Sequence, residues 1–182
     1  MTEKMTFKQF RELVASDLKR YAEHTGSPYT FRKNLSAFLL PSLQAIFVYR
    51  VSRYLFLRGH RLLPRFLYTY NIVVWGTDMP AITRIGHSFY MPHTVGVTVF
   101  AVLGDRCTCY AQAAIGGGSG NETDIGAGPG LPVLGDNVLI GARSMIVGPV
   151  RIGSGSLIGA NAFVTFDVPE NSTVVSPSAQ IL

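Results

Sequence analysis

Two of the chain's four histidines, His87 and His93, stand six residues apart, each the second residue after an apolar one, Ile85 or Met91. In a chain built on a six-residue repeat that phase faces outward, so neither reads as a core histidine. A neutral imidazole at such a place can take a proton from a hydroxyl. It can equally be a plain solvated side chain, which is the reading an isolated outward histidine carries. Two histidines cannot assemble a three-histidine metal site. Cys107 and Cys109, two residues apart, bridge only awkwardly and cannot complete a four-ligand zinc site. They read as reduced thiols of a cytoplasmic protein, and no metal is expected.

The repeat that sets this phase begins beyond residue 78. Ile85, Met91, Val97, Leu103, Cys109 and Ile115 follow one another at intervals of six. A second run, Leu134, Ile140, Ile146, Ile152, Ile158 and Val164, keeps the same interval. Glycine often comes next (Gly86, Gly104, Gly116, Gly135, Gly141, Gly153, Gly159), and the fourth residue on is small or β-branched in nearly every case: Val95, Ala101, Cys107, Ala113, Val138, Ser144, Val150, Ser156, Ala162, Val168. A hexad of this kind is one short strand plus a corner. The aliphatic residue points into a narrow prism, and glycine relaxes the backbone limits at the turn. Three hexads close one triangular coil of about 18 residues, and coils stack at the strand spacing of roughly 4.8 Å. Four to five coils, ending near Val168, are expected. Repeats of this type wind left-handed, against the usual crossover preference.

The two runs are one residue out of step between Ile115 and Leu134. The Gly-rich stretch between them, Gly117 to Gly130, has no aliphatic rhythm and must leave the prism as an exposed loop, where function commonly sits. It lacks the lysine and Ser/Thr that close a phosphate-binding loop.

Upstream the period is helical. Phe10, Leu13, Val14, Leu18 and Tyr21 mark one helix stopped by Gly26-Ser27-Pro28, a second follows Pro41 to Leu57, and a third follows Pro64 to Trp75-Gly76. The fold class is therefore α+β, with a helical region over residues 1–76 and a left-handed parallel β-helix over 77–182. The 182 residues are 47% apolar and 15% charged, which excludes a disordered chain. The uncharged run from Leu35 to Tyr49 in the helical region is too short for the ~20 residues of a spanning helix. The start, Met1-Thr2-Glu3-Lys4-Met5, has no apolar core of a secretory signal. A formal charge of +5 without a recognised motif does not support nucleic-acid binding. Arg50, Arg53, Arg58, Arg61 and Arg65 interleave with Tyr49, Tyr54, Phe56 and Phe66. This pattern suits a helix pair with a solvated basic face, or peripheral contact with an anionic membrane.

The segment Asp78-Met79-Pro80, Arg84-Ile85-Gly86 and Met91-Pro92-His93-Thr94-Val95-Gly96-Val97 resembles the serine acetyltransferase family of hexapeptide-repeat O-acetyltransferases. The likeness extends to Ile115-Gly116-Gly117, Ile140-Gly141-Ala142 and Ile158-Gly159-Ala160, and upstream to Asp17-Leu18-Lys19-Arg20-Tyr21 and Tyr49-Arg50. The resemblance implies acetyl-CoA as co-substrate, His93 as catalytic base and Asp78 as the acid that orients it. It also implies Ala142 and Ala160 as small positions along which the pantetheine arm lies, and an oxyanion-supporting N–H near Gly117. It further implies homotrimers with acyl-CoA sites between prisms, and leaves open whether the helices pair trimers into hexamers. In an ideal coil residue 96 stacks over residue 78, which leaves His93 about 10 Å along the strand. Asp78 is therefore expected in an irregular lead-in.

The chain departs from the family where the acceptor would bind. Phe100-Ala101 replaces a common Gly-Glu in a segment about two residues shorter, and Gly130-Leu131-Pro132 stands where the family has Arg-His-Pro. No clear acid lies between His24 and Asn34, and Ser176-Pro177-Ser178-Ala179-Gln180 replaces a C-terminal Gly-x-Pro-Ala-Arg. Recognition of serine's carboxylate and ammonium needs charged partners. The expectation is therefore a sugar hydroxyl of surface-polysaccharide biosynthesis as acceptor. L-serine is the alternative, and a non-catalytic trimeric scaffold a second one.

Overall fold

The computed structural model describes residues 4–26, 39–118 and 120–177. Thr6 opens α1 (Phe7–Thr25) with a capping box: its hydroxyl accepts from the Gln9 N–H, and the Gln9 side chain accepts from the Thr6 N–H. Gly26, left-handed at φ 65°, ends the helix. Ser27, Pro28, the stretch up to Phe38 and the C-terminal Ser178-Ala179-Gln180 lie outside the described residues. α2 (Pro41–Leu57) begins on its proline, and α3 (Leu62–Trp75) begins two residues before Pro64 rather than after it. Proline is tolerated there because first-turn N–H groups have no helical partner.

Beyond the helices, short parallel strands form three four-stranded walls. The first holds β1 (Arg84–Ile85), β3 (Val102–Leu103), β6 (Val133–Leu134) and β9 (Arg151–Ile152). The second holds β4 (Thr108–Cys109), β7 (Leu139–Ile140), β10 (Leu157–Ile158) and β12 (Thr173–Val174). The third holds β2 (Thr98–Val99), β5 (Ala114–Gly116), β8 (Met145–Val147) and β11 (Phe163–Val164). All twelve aliphatic or sulfur-bearing residues of the two hexad runs are no more than 5% exposed. β12 carries the last wall past Val168, the expected end, to Val174.

The first coil departs from the hexad rule. On the third wall Val99, not Val97, aligns with Ile115 and Ile146. The corner after Met91 is two residues longer than its counterparts, and the link from Val99 to Leu103 is two residues shorter than a hexad. Val97 is nevertheless fully buried, because its turn folds it back into the prism. The lengthened corner pushes out Val95, which alone of the ten expected small inward positions is exposed, at 64%.

The glycines serve a different purpose from the expected one. Gly86, Gly104 and Gly135 do not have positive φ; the left-handed residues fall two positions later, at Ser88, Arg106 and Asn137. What glycine supplies is space. Asp105 Oδ1 accepts the His87 N–H at 2.7 Å, Asp136 Oδ1 the Asp105 N–H at 2.7 Å, and Ser154 Oγ the Asp136 N–H at 3.0 Å. A Cβ on Gly86, Gly104 or Gly135 would lie 2.2–2.4 Å from those same oxygens. The ladder satisfies corner donors that have no strand partner.

The helices are keyed to the first coil. Arg50 is 2% exposed and donates to Asp17 through Nε (2.9 Å) and Nη2 (3.1 Å), and to the carbonyls of Ile85 and Gly86 at 2.6 Å each. Asp17 also accepts the Phe89 N–H at 2.9 Å, and Ser16 the Ser88 N–H at 2.9 Å. Burial pushes the Asp17 carboxyl up, and Arg50 opposes that shift. Arg53 donates to Ala81 O, and the Tyr49 hydroxyl to Thr83 O at 2.8 Å. The expected solvated basic face is thus corrected: Arg50 and Arg53 are anchors, and only Arg58, Arg61 and Arg65 of that set are exposed. Ala45, Ile46 and Tyr49 of α2 share one core with the prism.

Candidate active site

The lengthened corner carries His93 outward, exposed, ahead of the third wall. Along the same corner in later coils the backbone stacks regularly. Gln112 N–H donates to Val95 O, Arg143 N–H to Ala111 O and Asn161 N–H to Ala142 O, at 2.9–3.0 Å. Val95, not His93, therefore stands at the head of the column that continues through Ala111, Ala142 and Ala160. His93 and Thr94 are the two added residues, and they bulge beside that column. Ala142 is half-buried and Ala160 exposed, so their small side chains leave a shallow surface below the histidine.

Asp78 lies in the lead-in before the first coil, bridged in parallel to Thr98 at the start of the third wall. Its N–H donates to Val97 O and its carbonyl accepts from the Val99 N–H, both at 2.8 Å. The neighbouring Thr77 hydroxyl donates to Thr94 O at 3.0 Å, tying the Asp78 segment to the residue next to His93. The structure thus joins the two segments through their neighbours, and no hydrogen bond among the described residues links the Asp78 and His93 side chains. The Asp78 carboxylate instead accepts from the Tyr68 hydroxyl of α3 at 2.8 Å. Burial and the adjacent carboxylate push the Tyr68 phenol up to about 12.

Gly117 sits elsewhere. It follows β5 at the far edge of the third wall, so a single chain does not bring it to the His93 corner. From there the loop folds over the first wall. Arg84 and Arg151, on β1 and β9, donate to the carbonyls of Gly126 and Ile125 at its tip, and Asp124 Oδ1 accepts the N–H groups of Gly126 and Gly128. Those two N–H bonds hold the Asp124 carboxyl below its ordinary value. Leu131 is half-buried and faces back toward Gly117 and Gly128.

His87 is exposed, its Nδ1 3.3 Å from Asp105 Oδ1, and belongs to the corner ladder. Among the described residues no three His, Cys, Asp or Glu side chains gather as a metal site, and no helix is long and apolar enough to cross a membrane. Cys107 and Cys109 are free and buried, and burial pushes their thiols up to about 11 and about 12.

Three parallel walls of hexads, helices ahead of them and a loop ejected from the third corner define a left-handed parallel β-helix of the hexapeptide transferase class. Residues 132–165 match the family model described as bacterial transferase hexapeptide (six repeats). The chain is 33% identical over 147 residues to the serine acetyltransferase of Mycobacterium tuberculosis, covering 80% of this chain and 62% of that protein. It is 30% identical over 146 residues to the enzyme of that name from Helicobacter pylori, covering 79% of this chain and 82% of the relative. The crystal structure of the Neisseria gonorrhoeae serine acetyltransferase in complex with serine superposes with a TM-score of 0.79 at 31% identity, over 96% of this chain and 69% of that one. The chain belongs to the serine acetyltransferase family. It spans only about three fifths of the length of the Mycobacterium relative.

Sequence reasoning missed Tyr68 and Thr77. Neither carries a periodic signal; each is defined only by where α3 and the lead-in strand come to rest.

Proposed function

We propose that the protein is an acetyl-CoA-dependent O-acetyltransferase whose acceptor is L-serine, with His93 as general base and Asp78 as its carboxylate partner. The observation that carries this reading is the corner itself, where a two-residue bulge presents an exposed histidine beside a column of alanines, in a chain of this family. An alcohol is a weak nucleophile at its own pKa. A neutral His93 imidazole would take the hydroxyl proton as the oxygen attacks the thioester carbonyl, and would return a proton to the departing CoA thiolate. Asp78 would fix the imidazole's tautomer and stabilise the imidazolium that forms.

Serine is preferred to the sugar hydroxyl expected from Leu131 and Phe100, because the relatives reported above carry the serine activity in their names and one neighbour holds serine. Ala142 and Ala160 would bear the pantetheine arm along the column. An N–H near Gly117 can support the thioester oxyanion only if a neighbouring copy supplies it, which is the homotrimer this reading requires. A cytoplasmic setting suits the reduced, buried thiols. A peripheral membrane contact would use the exposed Leu62, Phe66 and Val73 of α3 beside Arg61 and Arg65. Co-sedimentation with anionic but not neutral vesicles tests it, and equal recovery from both overturns it.

The experiment is thiol release from acetyl-CoA with L-serine and with a panel of nucleotide- and lipid-linked sugars. Turnover of serine and not of sugars is expected. Sugar turnover alone restores the sugar reading, and turnover of neither favours the scaffold.

A further inference from the structure

Asp78 is held by its backbone on both sides, through Val97 O and the Val99 N–H, so that only the rotation of its carboxylate remains to be set. The Tyr68 hydroxyl sets it, donating to Oδ1 at 2.8 Å and leaving Oδ2 without a hydrogen bond among the described residues. α3 is itself fixed against α2, since Ser52 Oγ donates to Pro64 O at 3.0 Å and Asn71 Nδ2 to Ala45 O at 3.2 Å, one turn either side of Tyr68. Arg53 and Tyr49 hold the following lead-in through Ala81 O and Thr83 O. The phenol therefore approaches Asp78 from a rigid support.

From this arrangement we infer that Tyr68 is a positioning residue for acetyl transfer, aiming the Asp78 carboxylate toward the imidazole it must orient. The inference rests on the reading of His93 and Asp78 given above. A carboxylate aligned before reaction stabilises the imidazolium without reorganising, and one free to rotate does so less well. Tyr68 is a neutral donor near neutral pH, as a phenol of ordinary pKa already is. Tyr70, two residues on, packs its ring edge-on against Trp75 and makes no such contact with Asp78.

The test is a double-mutant cycle on the full chain, with kcat and KM measured for Tyr68→Phe in the wild-type and Asp78→Ala backgrounds. Tyr68→Phe is expected to lower kcat about tenfold, the effect of a lost hydrogen bond to a charged group, with KM within about twofold. In the Asp78→Ala background it should have no further effect. An equal fall in both backgrounds, or a change confined to KM, makes Tyr68 merely structural and overturns the inference. Ultraviolet titration supplies a second readout independent of turnover. The difference between wild type and Tyr68→Phe should show no phenolate below pH 11, and Asp78→Ala should lower that phenol's pKa part of the way, burial still holding it above 10. A phenol indifferent to Asp78→Ala also overturns the inference. Absence of acetyl transfer by the wild type defeats the enzymatic reading and the positioning role together, whereas activity with an additive cycle defeats the positioning role alone.

Discussion

Arg50 and Asp17, 33 residues apart on α2 and α1, meet at 2.9 Å with both side chains almost wholly buried. Two of the guanidinium's three remaining donors go to Ile85 O and Gly86 O, so one side chain joins two helices to the first corner of the prism.

Arg50→Met should therefore leave the buried Asp17 carboxylate without its counter-charge, held only by the Phe89 N–H, and two carbonyls unpaired. A loss of about 3–5 kcal/mol is expected, read as a lower denaturant midpoint at unchanged slope. Arg50→Lys should restore little, since one ammonium cannot reproduce the fork. A loss below about 1 kcal/mol for either variant would show that the pair does not anchor the helices.

Gly104 and Gly116 occupy the same place in their hexads but have different surroundings. A Cβ on Gly104 would lie 2.2 Å from Asp136 Oδ1 and 2.7 Å from Gly135 C, whereas on Gly116 it would meet Phe100 Cβ at 3.4 Å. Gly104→Ala should cost about 1–3 kcal/mol by overpacking, and Gly116→Ala should stay within about 0.5 kcal/mol of wild type. Equal costs, read from thermal or denaturant unfolding, would contradict the ladder as the reason for glycine.

The same pair shows how far the sequence could be read. The twelve aliphatic or sulfur-bearing inward residues are dictated by period alone and are all buried, whereas Val95, inward by the same period, is pushed out by the lengthened corner. The rise of the first corner was hidden because its two added residues are recovered before Leu103, so that Val97 keeps the period while Val99 takes the strand. Space at a glycine depends on the neighbouring coil, 18 or more residues away, and no local pattern reports it. The candidate base was legible because its segment is specific; Tyr68 was not, since its contact depends on the tilt of a helix. Leu131 marks the departure from Arg-His-Pro, yet its half-buried side chain became visible only with the folded loop.

His24 stacks on Tyr90 with ring centroids 4.0 Å apart. Burial first, and then the charge of Arg20, lower its pKa below the ordinary 6.5. The folded state thus resists its protonation more than the unfolded chain does. Its contribution to stability is full above pH 6.5 and is lost as the pH falls toward the lower folded value. His24→Gln should flatten the decline in stability between pH 7 and 5, measured as denaturant midpoints. An unchanged slope would show that His24 titrates alike in both states.

Steady-state thiol release from acetyl-CoA with L-serine, compared between wild type and His93→Ala at equal oligomeric mass, tests the central claim most directly. The account predicts that kcat/KM falls by about 10²–10⁴ when the imidazole is removed, the usual contribution of a general base. Serine-dependent turnover by His93→Ala within about threefold of wild type would contradict it.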